Sequence, residues 1–266
     1  MIPTSTPFLI LRTGSTAPEV IHRHGDYDRW FARAMQGDAG ENSCLGFTVC
    51  DVTKEPIPDP AAFAGVVVTG STRSAYEREP WMEPLCSYLA EVERHMVPVL
   101  CVCFGMQILA QARGGQVILN PNGWEIGGTD VTFTEAATED PLFAGLPPLI
   151  KVLATHEDRV EALPPGAVLL ATNRSSPVQA FCASDRVWGV QFHPEATIPI
   201  IEMLIRLRAD QLLRDAETRG HESAGHVQRL LDTLADPQVG QGRHVLDRFV
   251  RMCAETDRAR RPTSRG

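Results

Sequence analysis

An apolar run over residues 97–102 stops at Cys103 and is followed at once by a helix-like segment that ends in ILAQA. The pattern predicts a strand, a sharp turn and a helix, with the cysteine at the turn. The start of a helix presents unpaired backbone N–H groups and a partial positive charge, which favour thiolate over thiol and stabilise a developing oxyanion. Cys103 is therefore a candidate nucleophile, although buried cysteines more often serve as small hydrophobic residues.

A second apolar segment, residues 187–192, ends in His193-Pro194-Glu195. A thiol nucleophile needs a base that takes its proton, and the base needs an acid that fixes its tautomer. Cys103, His193 and Glu195 supply these three groups, and positions two apart on an extended segment point to the same side. Open parallel sheets place their functional sites at strand ends of this kind. The alternative for His193 and Glu195 is a polar strand end that faces water.

Three segments of the chain together resemble the signature blocks of class I glutamine amidotransferase domains: VLCVCFGMQILAQARGG, VWGVQFHPE and GVVVTGSTRSAYEREPW. The resemblance is to the stand-alone group in particular, which is similar to the amidotransferase half of GMP synthase, and it covers about residues 8–206. It implies a flavodoxin-like sheet and a Cys-His-Glu triad that hydrolyses the side-chain amide of glutamine. Cys103, His193 and Glu195 then take the three triad roles.

The resemblance also implies an oxyanion hole and a substrate contact. In the family, one backbone N–H comes from the glycine-rich turn after an earlier strand, and a second comes from the residue that follows the nucleophile. These positions fall at Gly70 or Ser71 and at Phe104. The family's glutamine four residues after the nucleophile, which helps to hold the substrate, matches Gln107.

Two further segments resemble the family less specifically. Glu125, in residues 123–127, lies where such domains carry a substrate-side loop, and His156, in residues 155–158, matches a short His-Asp segment near the glutamine site or the partner face. Either segment could equally be a solvated turn. Met106 departs from the family because relatives often have histidine there, and this departure leaves the choice of substrate open.

The triad groups predict one chemistry that serves two substrate classes. The Cys103 thiolate attacks a carbonyl carbon, His193 protonates the leaving nitrogen, and water then hydrolyses the acyl-enzyme with His193 as the base. If the substrate is glutamine, the chain is a glutamine amidotransferase-type hydrolase that could supply ammonia to a separate synthase. If it is a γ-glutamyl peptide or amide, the chain is a γ-glutamyl peptidase. A non-catalytic regulatory or binding subunit is a third alternative, against which the intact set of triad groups argues.

Composition restricts the partners and the compartment. The 266 residues are 43% hydrophobic, and their net charge of −8 argues against a nucleic-acid partner. The sequence has no run of about 20 apolar residues to cross a bilayer, and its first residues favour a core strand over a secretory signal. Seven cysteines without a disulfide pattern favour the cytoplasm. We expect neither a metal nor a cofactor, because no histidine pair is accompanied by other ligands at metal-binding spacing.

The order of apolar segments predicts an α/β fold. Short buried strands alternate with helical patterns in the first half of the chain, which implies a largely parallel sheet flanked by helices. We expect these strands at residues 8–12, 46–52, 65–69 and 97–102, and the helices at residues 27–35 and 81–95. Later segments without a long helix between them predict a more antiparallel section, followed by a helix. They are residues 116–119, 129–134, 149–154, 167–172 and 178–183, and the helix covers residues 198–213.

We expect residues 1–213 to form the amidotransferase-like domain and residues 214–266 to form a C-terminal helical extension. In the extension, apolar residues recur at helical spacing over residues 227–234 and 245–250, so two amphipathic helices fit. Such helices either cover the protein's own core or form a dimer or partner surface. The extension has no glycine-rich phosphate loop, so we expect no nucleotide-activating synthase domain in it. Its arginine-rich tail is expected to be disordered, with Arg258, Arg260, Arg261 and Arg265.

Overall fold

The computed structural model describes residues 6–37, 45–220 and 222–260. Strands and helices alternate through the first half of this described part, and a strand-rich section and further helices follow. The strands are β1 (Phe8–Arg12), β2 (Phe47–Asp51), β3 (Val66–Val68), β4 (Val99–Val102), β5 (Gln116–Leu119), β6 (Glu125–Phe133), β7 (Leu149–His156), β8 (Asp158–Ala162), β9 (Val168–Thr172), β10 (Ala180–Ser184) and β11 (Val187–Val190). The helices are α1 (Pro18–His24), α2 (Tyr27–Gln36), α3 (Met82–Glu91), α4 (Phe104–Ala112), α5 (Ile198–Leu207), α6 (Ala209–Thr218), α7 (His226–Asp232) and α8 (Arg243–Arg260).

Most of the strands form one sheet in the order β2-β1-β3-β4-β11-β10-β9-β6-β7. The half from β2 to β11 is parallel throughout, and the half from β11 to β7 is antiparallel. Strands β5 and β8 pair separately as an antiparallel ribbon. The predicted α/β fold, with a parallel sheet and an added antiparallel section, is therefore confirmed.

Helices cover both faces of the parallel half of the sheet. Along β1, Phe8 and Ile10 join one apolar cluster, whereas Leu9 and Leu11 join the other, because successive side chains of a strand point to opposite faces. Helices α2 and α8 pack on the first face, and α3 and α4 pack on the second. Burial on both faces explains why β3 and β4 are continuous apolar runs in the sequence and why β1 is one up to its last residue.

The register of the central strands brings their carboxyl ends to one edge of the sheet. Strand β4 lies between β3 and β11 and is parallel to both. Each of the three strands is followed within three residues by a candidate site residue: Gly70 after β3, Cys103 after β4 and His193 after β11. The topology therefore places these three positions together, as expected for the functional edge of an open parallel sheet.

Helix α8 belongs to the core of the described chain. Its apolar face, which includes Leu246, Phe249 and Cys253, is fully buried in the same cluster as Phe31 of α2. The apolar stripe at residues 245–250 therefore covers the protein's own core, which was the first of the two alternatives. None of the helices in the described ranges is both long enough and apolar enough to span a membrane.

The structure corrects several details of the predicted elements. The helix expected at residues 198–213 is broken at Arg208 into α5 and α6, and α1 and β8 were not predicted. Arg258 and Arg260 are not in a disordered tail but in the last turn of α8. Positively charged side chains at this position stabilise the C-terminal end of a helix. The Arg260 guanidinium donates to the Phe63 carbonyl oxygen at 2.6 Å, which fixes that turn. Arg261 and Arg265 lie outside the described residues.

Candidate active site

Cys103 occupies a strained turn between β4 and α4. Its backbone has φ 54° and ψ −109°, a conformation that costs a residue other than glycine about 1–3 kcal/mol. The Cys103 N–H donates to the Val190 carbonyl oxygen at 2.8 Å, and its own carbonyl accepts the first bond of α4 from Gln107 N. Gly105 lets this turn sit close to β3, because an added Cβ would lie 2.6 Å from the Val68 carbonyl oxygen. The predicted sharp turn is thus held in place from three sides.

His193 and Glu195 form a buried pair directly after β11. The two atoms His193 Nδ1 and Glu195 Oε1 are 2.7 Å apart, and the residues are only 4% and 2% exposed. Burial lowers the pKa of His193, but the negative charges of Glu195 and Cys103 outweigh burial and raise it to about 10. An imidazole with this pKa carries a proton at neutral pH, so it can pair with a thiolate and protonate a leaving nitrogen.

The His193 ring meets Cys103 above Gly70. A Cβ built on Gly70 would lie 3.2 Å from His193 Cε1 and 3.7 Å from Cys103 Cβ, so both side chains face the same point. Within the described residues, His193 Nε2 forms no hydrogen bond. This nitrogen is therefore free to exchange a proton with the thiol or with a bound substrate. The structure brings together the three residues that the sequence selects as a triad.

The positions predicted for an oxyanion hole lie in the backbone on either side of Cys103. Phe104 is the first residue of α4, where the backbone N–H has no acceptor inside the helix. The turn at Gly70 is fixed by Thr13, whose buried hydroxyl donates to the Gly70 carbonyl oxygen at 2.8 Å. Ser71 Oγ in turn donates to the Thr13 carbonyl oxygen at 2.9 Å. Thr13, which the sequence analysis did not single out, thus anchors the predicted oxyanion turn.

A cavity of about 450 Å³ opens beside Cys103, a size typical of small-molecule sites. Its wall carries two cations, Arg73 and Arg208, and two carboxylates, Glu157 and Asp158. Burial raises the pKa of the Glu157 carboxyl, as do the neighbouring carboxylates. Charges of both signs around one cavity suit a zwitterion, such as the backbone end of a free amino acid.

Arg208 is a further residue of the candidate site that the sequence analysis did not single out. It lies at the break between α5 and α6, where Nη1 donates to Thr155 Oγ1 at 2.7 Å and the guanidinium lies 5.1 Å from the centre of the Trp124 ring. Burial lowers the pKa of Arg208, but a guanidinium keeps its proton at any ordinary pH. A partly buried cation with further donors in a cavity is a ready partner for a substrate carboxylate.

The residues predicted to bind substrate divide into two groups. Gln107 and His156 line the cavity, and Gln107 Nε2 donates to the Asp158 carbonyl oxygen and to Gln191 Oε1, each at 3.1 Å. Glu125 does not line this cavity, since it lies behind His156 and reaches a separate cavity of about 700 Å³. Met106 is fully buried against Gly189, so its departure from the family pattern leaves the cavity wall unchanged.

Metal ligands are not grouped in the described part of the chain. Within residues 6–37, 45–220 and 222–260, no cluster of three or more His, Cys, Asp or Glu side chains could hold a metal ion. The chemistry that this arrangement can perform on its own is nucleophilic attack by a thiolate, with an imidazolium as the acid and backbone N–H groups as the oxyanion donors.

Comparison with known proteins places this geometry in context. The family model described as glutamine amidotransferase class-I matches residues 44–200. The chain is 32% identical over 184 residues to a glutamine-hydrolyzing GMP synthase subunit of Haloarcula marismortui, covering 68% of this chain and 86% of that relative. It is 29% identical to gamma-glutamyl peptidase 4 of Arabidopsis thaliana, covering 65% of this chain and 68% of that protein.

Two further relatives differ in how much of their length is matched. The chain is 38% identical over 143 residues to GMP synthase of Thermomicrobium roseum, which covers 53% of this chain but only 25% of that synthase. The crystal structure of a glutamine amidotransferase from Thermotoga maritima has a TM-score of 0.69 at 21% identity, covering 95% of this chain and all of that one. At this identity the structural match shows that the two proteins share the fold.

Proposed function

Because the chain belongs to the class I glutamine amidotransferase family, we propose that it hydrolyses the γ-amide bond of glutamine through Cys103, His193 and Glu195. The observation that carries this proposal is the buried 2.7 Å contact between His193 Nδ1 and Glu195 Oε1. The His193 ring also lies close to the Cys103 side chain, next to Gly70. This placement of nucleophile, base and orienting acid supports thiol hydrolysis.

In the first half of the reaction, the Cys103 thiolate attacks the γ-carbonyl carbon and the carbonyl oxygen becomes an oxyanion. The N–H groups of Phe104 and of Gly70 or Ser71 stabilise that oxygen. His193 passes its Nε2 proton to the amide nitrogen, the C–N bond breaks, and ammonia leaves behind a γ-glutamyl thioester. Water then gives a proton to His193 and attacks the thioester, which releases glutamate and restores the thiolate.

The charges of the cavity supply a recognition scheme for the glutamyl group. The partly buried guanidinium of Arg208 would hold the α-carboxylate, since charge-assisted bonds of this kind are among the strongest in proteins. The carboxylates of Glu157 and Asp158 would face the α-ammonium group. Both groups are present in glutamine and in every γ-glutamyl compound, so this scheme selects the acyl part of the substrate and leaves the leaving group open.

A γ-glutamyl peptidase is the second candidate, and one observation favours it. The cavity of about 450 Å³ lies within the range of about 300–1,000 Å³ that sites for drug-sized ligands occupy. A cavity of this size would admit an amine leaving group larger than ammonia. The similarity to gamma-glutamyl peptidases 4 and 5 of Arabidopsis thaliana supports the same candidate.

The first candidate function implies a partner, a separate synthase that receives the ammonia. The similarity to the GMP synthase protein of Haloarcula marismortui supports it, because that relative is named as one subunit of a larger enzyme. A homodimer is the alternative assembly. A non-catalytic subunit fits less well, because a strained cysteine beside a buried His-Glu pair has no use in a purely structural protein.

The proposal is tested by measuring glutamate release from glutamine and from a γ-glutamyl dipeptide. The purified chain is compared with Cys103→Ala and with Cys86→Ala, which makes the same chemical change at a half-buried cysteine of α3. We expect both substrates to compete, and Cys103→Ala alone to abolish turnover. The ratio of kcat/KM for the two substrates then identifies the hydrolase or the peptidase. Turnover that persists in Cys103→Ala would refute the mechanism.

A further inference from the structure

His156 is unusual because both of its ring nitrogens face hydrogen-bond acceptors. Nδ1 lies 2.9 Å from the Asp158 carbonyl oxygen, and Nε2 lies 2.9 Å from Glu125 Oε2. A carbonyl oxygen has no proton to donate, so Nδ1 must carry one. The residue is only 4% exposed and Glu125 is 7% exposed, so neither contact can be exchanged for bulk water.

The surroundings of Glu125 show that its carboxyl group is ionised. Thr129 Oγ1 donates to Oε1 at 2.8 Å, and Gln179 Nε2 donates to Oε2 at 2.8 Å. Asn173 Nδ2 donates a further bond to Oε1. Burial raises the pKa of Glu125, but these donors together with His156 outweigh burial and leave the pKa below its ordinary value. A carboxylate that only accepts requires a second proton on His156, at Nε2.

We propose that His156 is a buried imidazolium, held by Glu125, that positions the wall of the substrate cavity. Its Nδ1 proton is shared with the Asp158 carbonyl oxygen, which also accepts from Gln107 Nε2 at 3.1 Å. The same short segment places the Thr155 carbonyl oxygen 4.0 Å from Cys103 Sγ and the Thr155 hydroxyl 2.7 Å from Arg208 Nη1. The imidazolium therefore fixes a segment that touches the nucleophile, Gln107 and the guanidinium at once.

This role rests on the proposed function, since it assigns His156 and Glu125 to the holding of a γ-glutamyl substrate. Glu125 acts only through His156, so it is a positioning residue and not a substrate contact. The charged side chains that line the cavity together with His156 are Arg73, Glu157, Asp158 and Arg208.

The protonation state is read directly from the ¹⁵N NMR signals of the histidine ring nitrogens in the full chain. The signals of His156 are assigned by their loss in His156→Gln. At pH 7 we expect both of its nitrogens to carry a proton, as in an imidazolium. A ring with one bare nitrogen at this pH would overturn the inference, whether or not the chain turns over any substrate.

The positioning role is tested with Glu125→Gln, which keeps the size of the side chain and removes its charge. Glu161→Gln serves as the matched control, because Glu161 is an exposed carboxylate of β8 that pairs with Arg159. For whichever γ-glutamyl substrate turns over, we expect Glu125→Gln to raise KM about tenfold, with kcat within about threefold, and to remove one proton from His156 at pH 7. The control should change neither.

Two outcomes separate this inference from the proposed function. An inactive wild-type chain refutes the proposed function, and the NMR signals of the wild type then still decide whether His156 is an imidazolium. An active chain in which Glu125→Gln folds and leaves both KM and the His156 signals unchanged refutes the positioning role alone. If Glu125→Gln does not fold, the ¹⁵N signals of His156 in the wild type decide the inference, and a ring with one bare nitrogen at pH 7 would refute it.

Discussion

Replacing Arg208 by Met removes a partly buried cation from the wall of the proposed substrate cavity while keeping the approximate length and apolar character of the side chain. The guanidinium lies against Trp124 and donates to Thr155 from one nitrogen, which leaves other donors for a ligand. A hydrogen bond to a charged group contributes about 1.5–3 kcal/mol, which corresponds to about a 10- to 150-fold change in binding. We therefore expect KM for glutamine or a γ-glutamyl dipeptide to rise by that factor.

A double-mutant cycle between enzyme and substrate shows whether the lost partner is the α-carboxylate. Glutamine is compared with 4-aminobutanamide, which has the same amide and amino groups but no α-carboxylate. Wild type should bind the truncated substrate about 10- to 150-fold more weakly than glutamine, and Arg208→Met should discriminate far less between the two. Steady-state rates of ammonia release supply all four values.

The matched control is Arg206→Met, two residues earlier on α5. Arg206 is exposed and pairs with Glu202 on the same helix, so its loss should leave both substrates unaffected. If Arg208→Met weakens the binding of glutamine and of 4-aminobutanamide by equal factors, Arg208 does not bind the carboxylate and the recognition scheme is refuted.

Three other predictions follow from single features of the structure. Gly70→Ala places a methyl group 3.2 Å from the His193 ring, so kcat should fall about tenfold or more without loss of stability, whereas Gly46→Ala, in an ordinary contact, should have no effect in the same assay. Asp51→Asn should lower the free energy of unfolding by about 2 kcal/mol at pH 7. Burial raises the pKa of Asp51, but its hydrogen-bonded neighbours outweigh burial and lower the pKa overall. The difference in unfolding free energy between wild type and Asp51→Asn should therefore shrink as the pH falls below about 4. Denaturant curves that give the same difference at every pH would contradict this account. Phe249→Ala should cost about 3–5 kcal/mol in the same type of curve, and exposed Arg251→Ala less than about 0.5 kcal/mol; equal losses would show that α8 is not part of the core.

The sheet edge that carries the candidate site was predictable because it depends on local sequence and on one topological rule. Each of the strands before Cys103 and His193 is an apolar run that ends abruptly, and parallel strands place such ends at the same edge. The buried contact between His193 and Glu195 follows from their spacing of two residues. No long-range register had to be known for these positions.

The features that the sequence did not reveal depend on contacts between distant segments. Glu125 on β6 and His156 on β7 are paired across the two strands, although 31 residues separate them in the sequence. Neither segment alone specifies this register. Arg208 enters the cavity because the helix breaks there, whereas the apolar periodicity continues through the break. Strand β8 was missed because it opens with the charged pair Asp158-Arg159, which reads as a turn.

Covalent trapping tests the central claim, that Cys103 is the nucleophile of a γ-glutamyl hydrolase, most directly. The full chain is incubated with an acivicin-like γ-glutamyl electrophile, digested, and mapped by mass spectrometry, with and without excess glutamine or γ-glutamyl dipeptide. The account predicts one adduct, on the peptide that contains Cys103, and its suppression by the substrate that the chain turns over. Labelling at another cysteine such as Cys86, or labelling of Cys103 that no γ-glutamyl compound suppresses, would contradict it.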